Sequence, residues 1–204
     1  MAVLKPLKVT ITNYEGSEQL DFEINPNDEV KSYRKISFSK QIYIDRDDFS
    51  LTPPPKYFRL KPDGVVRLKN AYIIKCDQVI FGDDGEVQEL LCSYYPDSKS
   101  GSDTSGIKAK GVLNWVDAQT AIDTEIRKYD HLLKDEEYAG QDFAERMNYD
   151  SVHIFNGKAE PYIFETEEKP FQLLRVGYFK KLERNGKTVL SEIVSLKDNF
   201  NVKK

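Results

Sequence analysis

The chain has 204 residues, 39% of them hydrophobic and 31% charged, with 12 tyrosines, 11 phenylalanines and a formal net charge of −4. That length suffices for one large β domain or two small barrels, and the aromatic content favours strands. No stretch approaches the roughly 20 apolar residues that cross a bilayer, the N-terminus lacks an apolar signal core, and the negative balance argues against indiscriminate nucleic-acid binding; a cytoplasmic chain is expected.

Taken in chain order, the dominant period is two. Lys8 to Thr12 alternates around Val9 and Ile11, and Gln19 to Ile24 runs polar then apolar without a slip. Ile36 with Phe38 and Ile42 with Ile44 continue the pattern, and Val66 and Leu68 point one way while Arg67 and Lys69 point the other. Successive side chains leave opposite faces of a strand, so each run is predicted as a half-buried strand. Asp84-Gly85, Asn156-Gly157 and Asn185-Gly186 supply the positive φ angles of tight hairpins. Many short strands at this spacing predict closed barrels. The polar run Asp97 to Gly106 has no burial capacity and is expected to be a mobile linker. Asp117 to Leu133 fits a helical face through Ala118, Ile122, Ile126, Tyr129 and Leu133, but also a strand through Ile122, Thr124 and Ile126. A short helix is expected around Asp142 to Met147, with Gln141 or Asp142 near its cap.

Residue chemistry excludes more than it nominates. Cys76 and Cys92 flank a predicted hairpin and could face each other, best as free thiols packed in a core. His131 and His153 have no companions at metal-ligand spacing. No glycine-rich phosphate loop or nucleophile triad occurs, and Gly82 to Gly85 is a turn. Asp45, Asp47 and Asp48 around Arg46 lack a calcium-loop pattern and fit a strand end. No catalytic residue, metal or cofactor is expected in the chain. Charge, however, is uneven: Leu51 to Lys75 carries six basic residues against one acid, Lys169 to Lys187 six against one, and Asp135 to Glu168 ten acids against two basic residues. Such segments are ordinary solvated strand faces or the contact surface for a selective polyanion.

Gly111-Val-Leu-Asn-Trp-Val116, followed by Glu125-Ile-Arg and Tyr129-Asp, resembles the C-terminal, anticodon-binding domain of glutaminyl-tRNA synthetases. The likeness extends to Lys8–Tyr14, to Ile42–Arg46 with Phe49, to Val66–Tyr72 with Ile74-Lys75, and to Gly177-Tyr-Phe179. It covers essentially the whole chain in order. The resemblance implies an all-β fold of two β-barrels, proximal and distal, that grip the anticodon stem-loop. The proximal barrel is then expected from residues 1–26 with 119–204, the distal from 27–118, and the ambiguous segment becomes a short helical turn after Trp115 followed by a strand through Glu125 to Tyr129. The family's ATP-dependent, glutamine-activating domain lies upstream of this region, and its signature motifs are absent here; the chain is expected to be a non-catalytic fragment whose partners are that missing N-terminal domain and tRNA(Gln), with no DNA and no membrane.

Carried over by resemblance, Arg59 stands at the position that contacts the third anticodon base, a guanine. Arg67 stands at the position for the first base, with Lys69 beside it near phosphate, and Gln172 at the middle uracil with Arg175 on the phosphate chain. Lys56 and Phe58 depart from the pattern, which has Gln and Lys there. Planar arginine forks and neutral amides suit this work, because unpaired bases are read on their exposed edges. The same domain of a glutamyl-tRNA synthetase, and a freestanding RNA-binding barrel, remain alternatives.

Overall fold

The computed structural model describes residues 1–25, 27–134, 142–167 and 170–196. The strands, in order, are β1 (Ala2–Val3), β2 (Pro6–Ile11), β3 (Ser17–Glu23), β4 (Tyr33–Ser39) and β5 (Gln41–Asp45). Then come β6 (Val65–Leu68), β7 (Ile73–Phe81), β8 (Val87–Tyr94), β9 (Val112–Leu113), β10 (Trp115–Asp117) and β11 (Ile122–Tyr129). The helical turn α1 (Phe143–Arg146) precedes β12 (Val152–Ala159), and α2 (Tyr162–Glu165) precedes β13 (Phe171–Leu173), β14 (Gly177–Arg184) and β15 (Lys187–Ser195). The fold is all-β, with nearly closed, barrel-like sheets and only short helices. Among the described residues, no helix is long and apolar enough to cross a membrane.

Contacts divide the chain into two compact units, Met1–Asp123 with Gly157–Thr166, and Thr124–Asn156 with Glu167–Lys204. The first contains a seven-stranded sheet in the order β10-β5-β2-β8-β7-β6-β9. Its two outermost strands, β9 and β10, are consecutive and separated by Asn114 alone. One continuous segment therefore pairs with β6 through Arg67↔Val112 and Leu68↔Leu113, and with β5 through Trp115↔Ile44. It links the two borders and leaves the sheet nearly closed, which shortens the exposed edges a sheet otherwise presents. Gly111-Val-Leu-Asn-Trp-Val116, the string on which the resemblance turned, is this closing segment.

Alternation explains what fills the barrel. Leu7, Val9 and Ile11 on β2 are fully buried, as are Ile42, Ile44, Val66 and Leu68. The β3–β4 hairpin adds Leu20, Phe22, Ile36 and Phe38 to the same core. Phe38 meets Trp115 edge to face at 5.1 Å between ring centroids, and Tyr14, Tyr72 and Tyr94 continue the aromatic cluster. The Trp115 indole N–H donates to the Lys69 carbonyl at 2.9 Å, so the one tryptophan is buried without an unpaired donor. Cys76 and Cys92 are paired across β7 and β8, buried and free.

In the second unit the sheet runs β12-β11-β15-β14-β13. β11 pairs with β15 in parallel, and β13, β14 and β15 pair antiparallel. Asn185 and Gly186, at φ 51° and 71°, make the expected tight turn between β14 and β15. Ile126, Leu173, Phe179, Val189 and Leu190 are buried in this unit.

Three expectations change. The strand at Lys8 to Asn13 was assigned to the barrel of Gln172 to Phe179; instead β2 pairs antiparallel with β5 and parallel with β8, and the contacts keep residues 1–26 with 27–118. Asn156-Gly157 is not a turn, because β12 continues through it so that Lys158 and Ala159 can pair with β1. The Asp97–Gly106 loop is ordered, for reasons given below. The segment after Trp115 follows the expectation: Asp117 accepts from the Thr120 and Ala121 N–H groups in a single turn, and the strand β11 follows with Thr124 and Ile126 buried. Asp142 caps α1 by accepting from the Phe143 N–H at 2.8 Å, as expected, whereas Gln141 lies outside the described residues.

Candidate nucleic-acid interface

The first group of basic residues sits on the arm between β5 and β6. The chain leaves β5 through a turn at Arg46–Asp48, capped by Asp45, whose carboxylate accepts from the Asp47 N–H at 3.2 Å. Leu60 is buried and fixes the arm's far end, donating to the Asp48 carbonyl at 3.0 Å and accepting from Ser50 at 3.1 Å. Between these anchors the Arg59 guanidinium donates to the Asp47 carbonyl at 2.8 Å and lies 3.2 Å from the Asp48 carboxylate. The Arg59 side chain is 43% exposed, so its plane is set while part of its fork faces solvent. Two of the three acids that fitted a strand end seat this arginine, Asp47 through its carbonyl and Asp48 through its carboxylate, while Asp45 caps the turn. Lys56 is exposed and held at φ 63°, a conformation that side chains with a Cβ adopt only under constraint. Phe58 is 51% exposed, and the Lys110 ammonium lies 5.4 Å from its ring centroid.

The second group follows β6. Val66 and Leu68 are buried and Arg67 and Lys69 half-buried, as the alternation requires. Arg67 donates to the Ser98 carbonyl at 2.6 Å and forms a short ion pair with Asp103. Both partners belong to the loop that was expected to be a mobile linker. That loop is tied down by hydroxyls rather than by apolar residues. The buried Ser98 Oγ accepts from the Ile73 N–H at 2.8 Å and donates to the Tyr95 carbonyl, and the Ser100 N–H donates to Ala71 at 2.9 Å. Lys99 reaches Glu18 at 2.5 Å. Burial alone would raise the Glu18 carboxyl, but hydrogen bonds from Lys99, Tyr72 and Tyr14 outweigh it and hold the group below its ordinary value. The Asp103 carboxyl is also held low, first by the Ser105 hydroxyl and N–H and then by Arg67. Lys69 stands just past the strand, with its N–H on the Leu113 carbonyl at 2.9 Å.

The third group lies in the second unit. Gln172 is exposed on β13 and directly opposite Tyr178 on β14, which in turn faces Val194 on β15. Residues opposite one another share a sheet face, so amide, 45%-exposed phenol ring and valine form one row. Arg175, at φ 66°, occupies the turn closed by the Val176 N–H on the Leu173 carbonyl at 3.0 Å. Lys56, Arg59, Arg67 and Lys69 are thus in the first unit, and Gln172 and Arg175 in the second. Missed by sequence reasoning were the anchors Asp48 and Asp103, and Tyr178; for Tyr178 the signal was present in Gly177-Tyr-Phe179, but its register to Gln172 depends on a turn that only the structure defines.

An all-β scaffold that presents fixed guanidinium forks, a neutral amide and exposed rings has the parts needed to read unpaired nucleobases. Two family models, both described as "tRNA synthetases class I (E and Q), anti-codon binding domain", match residues 1–95 and 112–181, and the chain belongs to that family. It is 45% identical to a glutamine–tRNA ligase of Clostridium perfringens over its whole length, and 44% identical to that of Clostridium kluyveri over 99% of its length. The glutamine–tRNA ligase of Bradyrhizobium diazoefficiens is 41% identical over 98% of the chain. The chain spans 38% of the length of the two clostridial relatives and 37% of the third.

Proposed function

We propose that this chain reads the anticodon stem-loop of tRNA(Gln) as the anticodon-binding part of a cytoplasmic glutamine–tRNA ligase. In this reading a catalytic domain outside the chain uses ATP to join glutamine to the tRNA, and no residue here takes part in that chemistry. The observation that carries it is the end-to-end similarity to glutamine–tRNA ligases. In this reading each candidate residue has a role. Arg59, its plane set by Asp48, pairs with the edge of the third anticodon base, and Arg67 with the first. Gln172 pairs with the middle uracil beside the Tyr178 ring. Lys69 and Arg175 hold backbone phosphate, and Lys56 adds positive charge at the Arg59 arm.

Titration of the chain with tRNA(Gln), tRNA(Glu) and an anticodon-swapped tRNA(Gln) tests the proposal. Binding should be tightest to tRNA(Gln) and should weaken on swapping. Gln172→Ala should reduce that discrimination and leave the salt slope unchanged, because a neutral amide releases no counterions. Equal affinity for all three RNAs sinks the proposal, and preference for tRNA(Glu) reassigns the amino acid.

A further inference from the structure

We propose that the exposed Phe58 ring, flanked by Lys110, is a stacking seat for one unpaired nucleobase of the bound RNA, adjoining Arg59. The inference rests on the anticodon-reading assignment and adds to it a contact that the Arg and Gln residues do not provide. Singly exposed apolar side chains are common and need no explanation. What sets Phe58 apart is that its backbone is pinned while its ring is left open. Its carbonyl packs so closely on Gly111 that a Cβ there would lie 1.7 Å from the oxygen. One residue further on is Arg59, bonded to Asp47 and Asp48, and then the buried, hydrogen-bonded Leu60. Upstream stand Pro53, Pro54 and Pro55, whose rings fix φ, and Lys56 in its left-handed conformation. With the main chain held this firmly, little backbone freedom is lost when a planar partner settles on the ring.

The charge around the ring selects the partner. Lys110 lies 5.4 Å from its centroid, Lys56 and Arg59 stand two residues before it and one after it in the chain, and the acids that precede the arm are engaged, Asp48 with Arg59 and Asp47 with Lys5 at 3.0 Å. An aromatic face beside a lysine suits a base joined to a phosphate chain: the ring takes the π-face, and the ammonium takes the phosphate or the base carbonyl. Because every base has a π-face, this seat adds affinity without choosing sequence, whereas Arg59 chooses.

The test uses the 204-residue chain and anticodon stem-loops carrying 2-aminopurine at one loop position at a time. The wild-type chain should quench the probe at one position. Phe58→Ala should abolish that quench and weaken binding roughly tenfold, equally for cognate and anticodon-swapped loops. Phe58→Trp should restore both, and Phe58→Leu, which keeps apolar bulk without a π-face, should restore neither. Wild-type affinity and quenching in Phe58→Ala, or full rescue by Leu, overturns the seat. If Arg59→Ala still impairs binding under those outcomes, anticodon reading survives without it. A wild-type chain that binds none of the stem-loops overturns both.

Discussion

The two units hold their candidate reading residues in opposite ways. In the first, each guanidinium is already bonded to protein, Arg59 to the Asp47 carbonyl and Asp48, Arg67 to the Ser98 carbonyl and Asp103. In the second, Gln172 stands on an open sheet face and is located by strand register against Tyr178. A long, flexible, charged side chain needs partners to fix its plane before a base arrives, and those partners must leave donors over. A short neutral amide needs neither; a strand positions it well enough. Preorganisation in the first unit is therefore made of carboxylates and carbonyls that grip the side chain, and in the second of strand register.

Breaking the scaffold under the first unit should have the largest effect. Gly111→Ala forces a Cβ into the Phe58 carbonyl and should destabilise the chain by about 3 kcal/mol in urea unfolding. An unchanged midpoint would mean that the Arg59 arm is not clamped to the closing segment. Next comes the fork itself. Arg59→Ala should weaken cognate binding by roughly 1–3 kcal/mol and narrow the gap to swapped anticodons. Asp48→Asn, which leaves the fork but loosens its plane, should cost less; tighter binding instead would show that the carboxylate competes with RNA.

A smaller effect concerns pH. Glu18 is held below its ordinary value, so above the carboxylate range the native state gains from the ionised group. That gain is lost as pH falls through the lowered native value, since the unfolded chain binds the proton first. Tyr14 and Tyr72 are pushed up, mainly by burial and by Glu18, so their contribution is present below about pH 10 and fades above it. Glu18→Gln should flatten the acid limb of the stability profile and loosen the Lys99 end of the loop that holds Arg67. Equal acid limbs in the two proteins would remove Glu18 from the account. Smallest of all, Lys69→Ala should weaken every RNA alike by a few tenths of a kcal/mol and reduce the salt slope by about one; a change in discrimination there would blur the division between reading and holding.

How much of this was legible in sequence depends on what each element rests on. β2, β3 and β6 were plain because alternation is local and each buries one face: Leu7, Val9 and Ile11 inside, Lys8 and Thr10 less so. The neighbours of β2 were not, since its parallel pairing with β8 joins distant residues that no local pattern links. Asn156-Gly157 misled because a turn signal acts only where the following strand can fold back. The Asp97–Gly106 loop misled because hydropathy sees apolar burial and is blind to a serine hydroxyl that satisfies two backbone groups. At the site, Arg59, Arg67 and Gln172 were named through resemblance, whereas Asp48 and Asp103 looked like a strand end and a linker until their partners were in place.

The Val112–Asp117 segment has a kinetic consequence. A single short stretch of chain holds both borders of the first barrel, and its partners on β5 and β6 are remote from it in sequence. Their registers are coupled, so an insertion at Asn114 would set the two borders out of step. In folding, the entropy of closing such long loops is met when this clasp docks, after the β7–β8 hairpin and the β3–β4 hairpin can already have formed from local contacts. In unfolding, release of the same stretch would open both borders at once, so the barrel should give way as a whole rather than peel strand by strand.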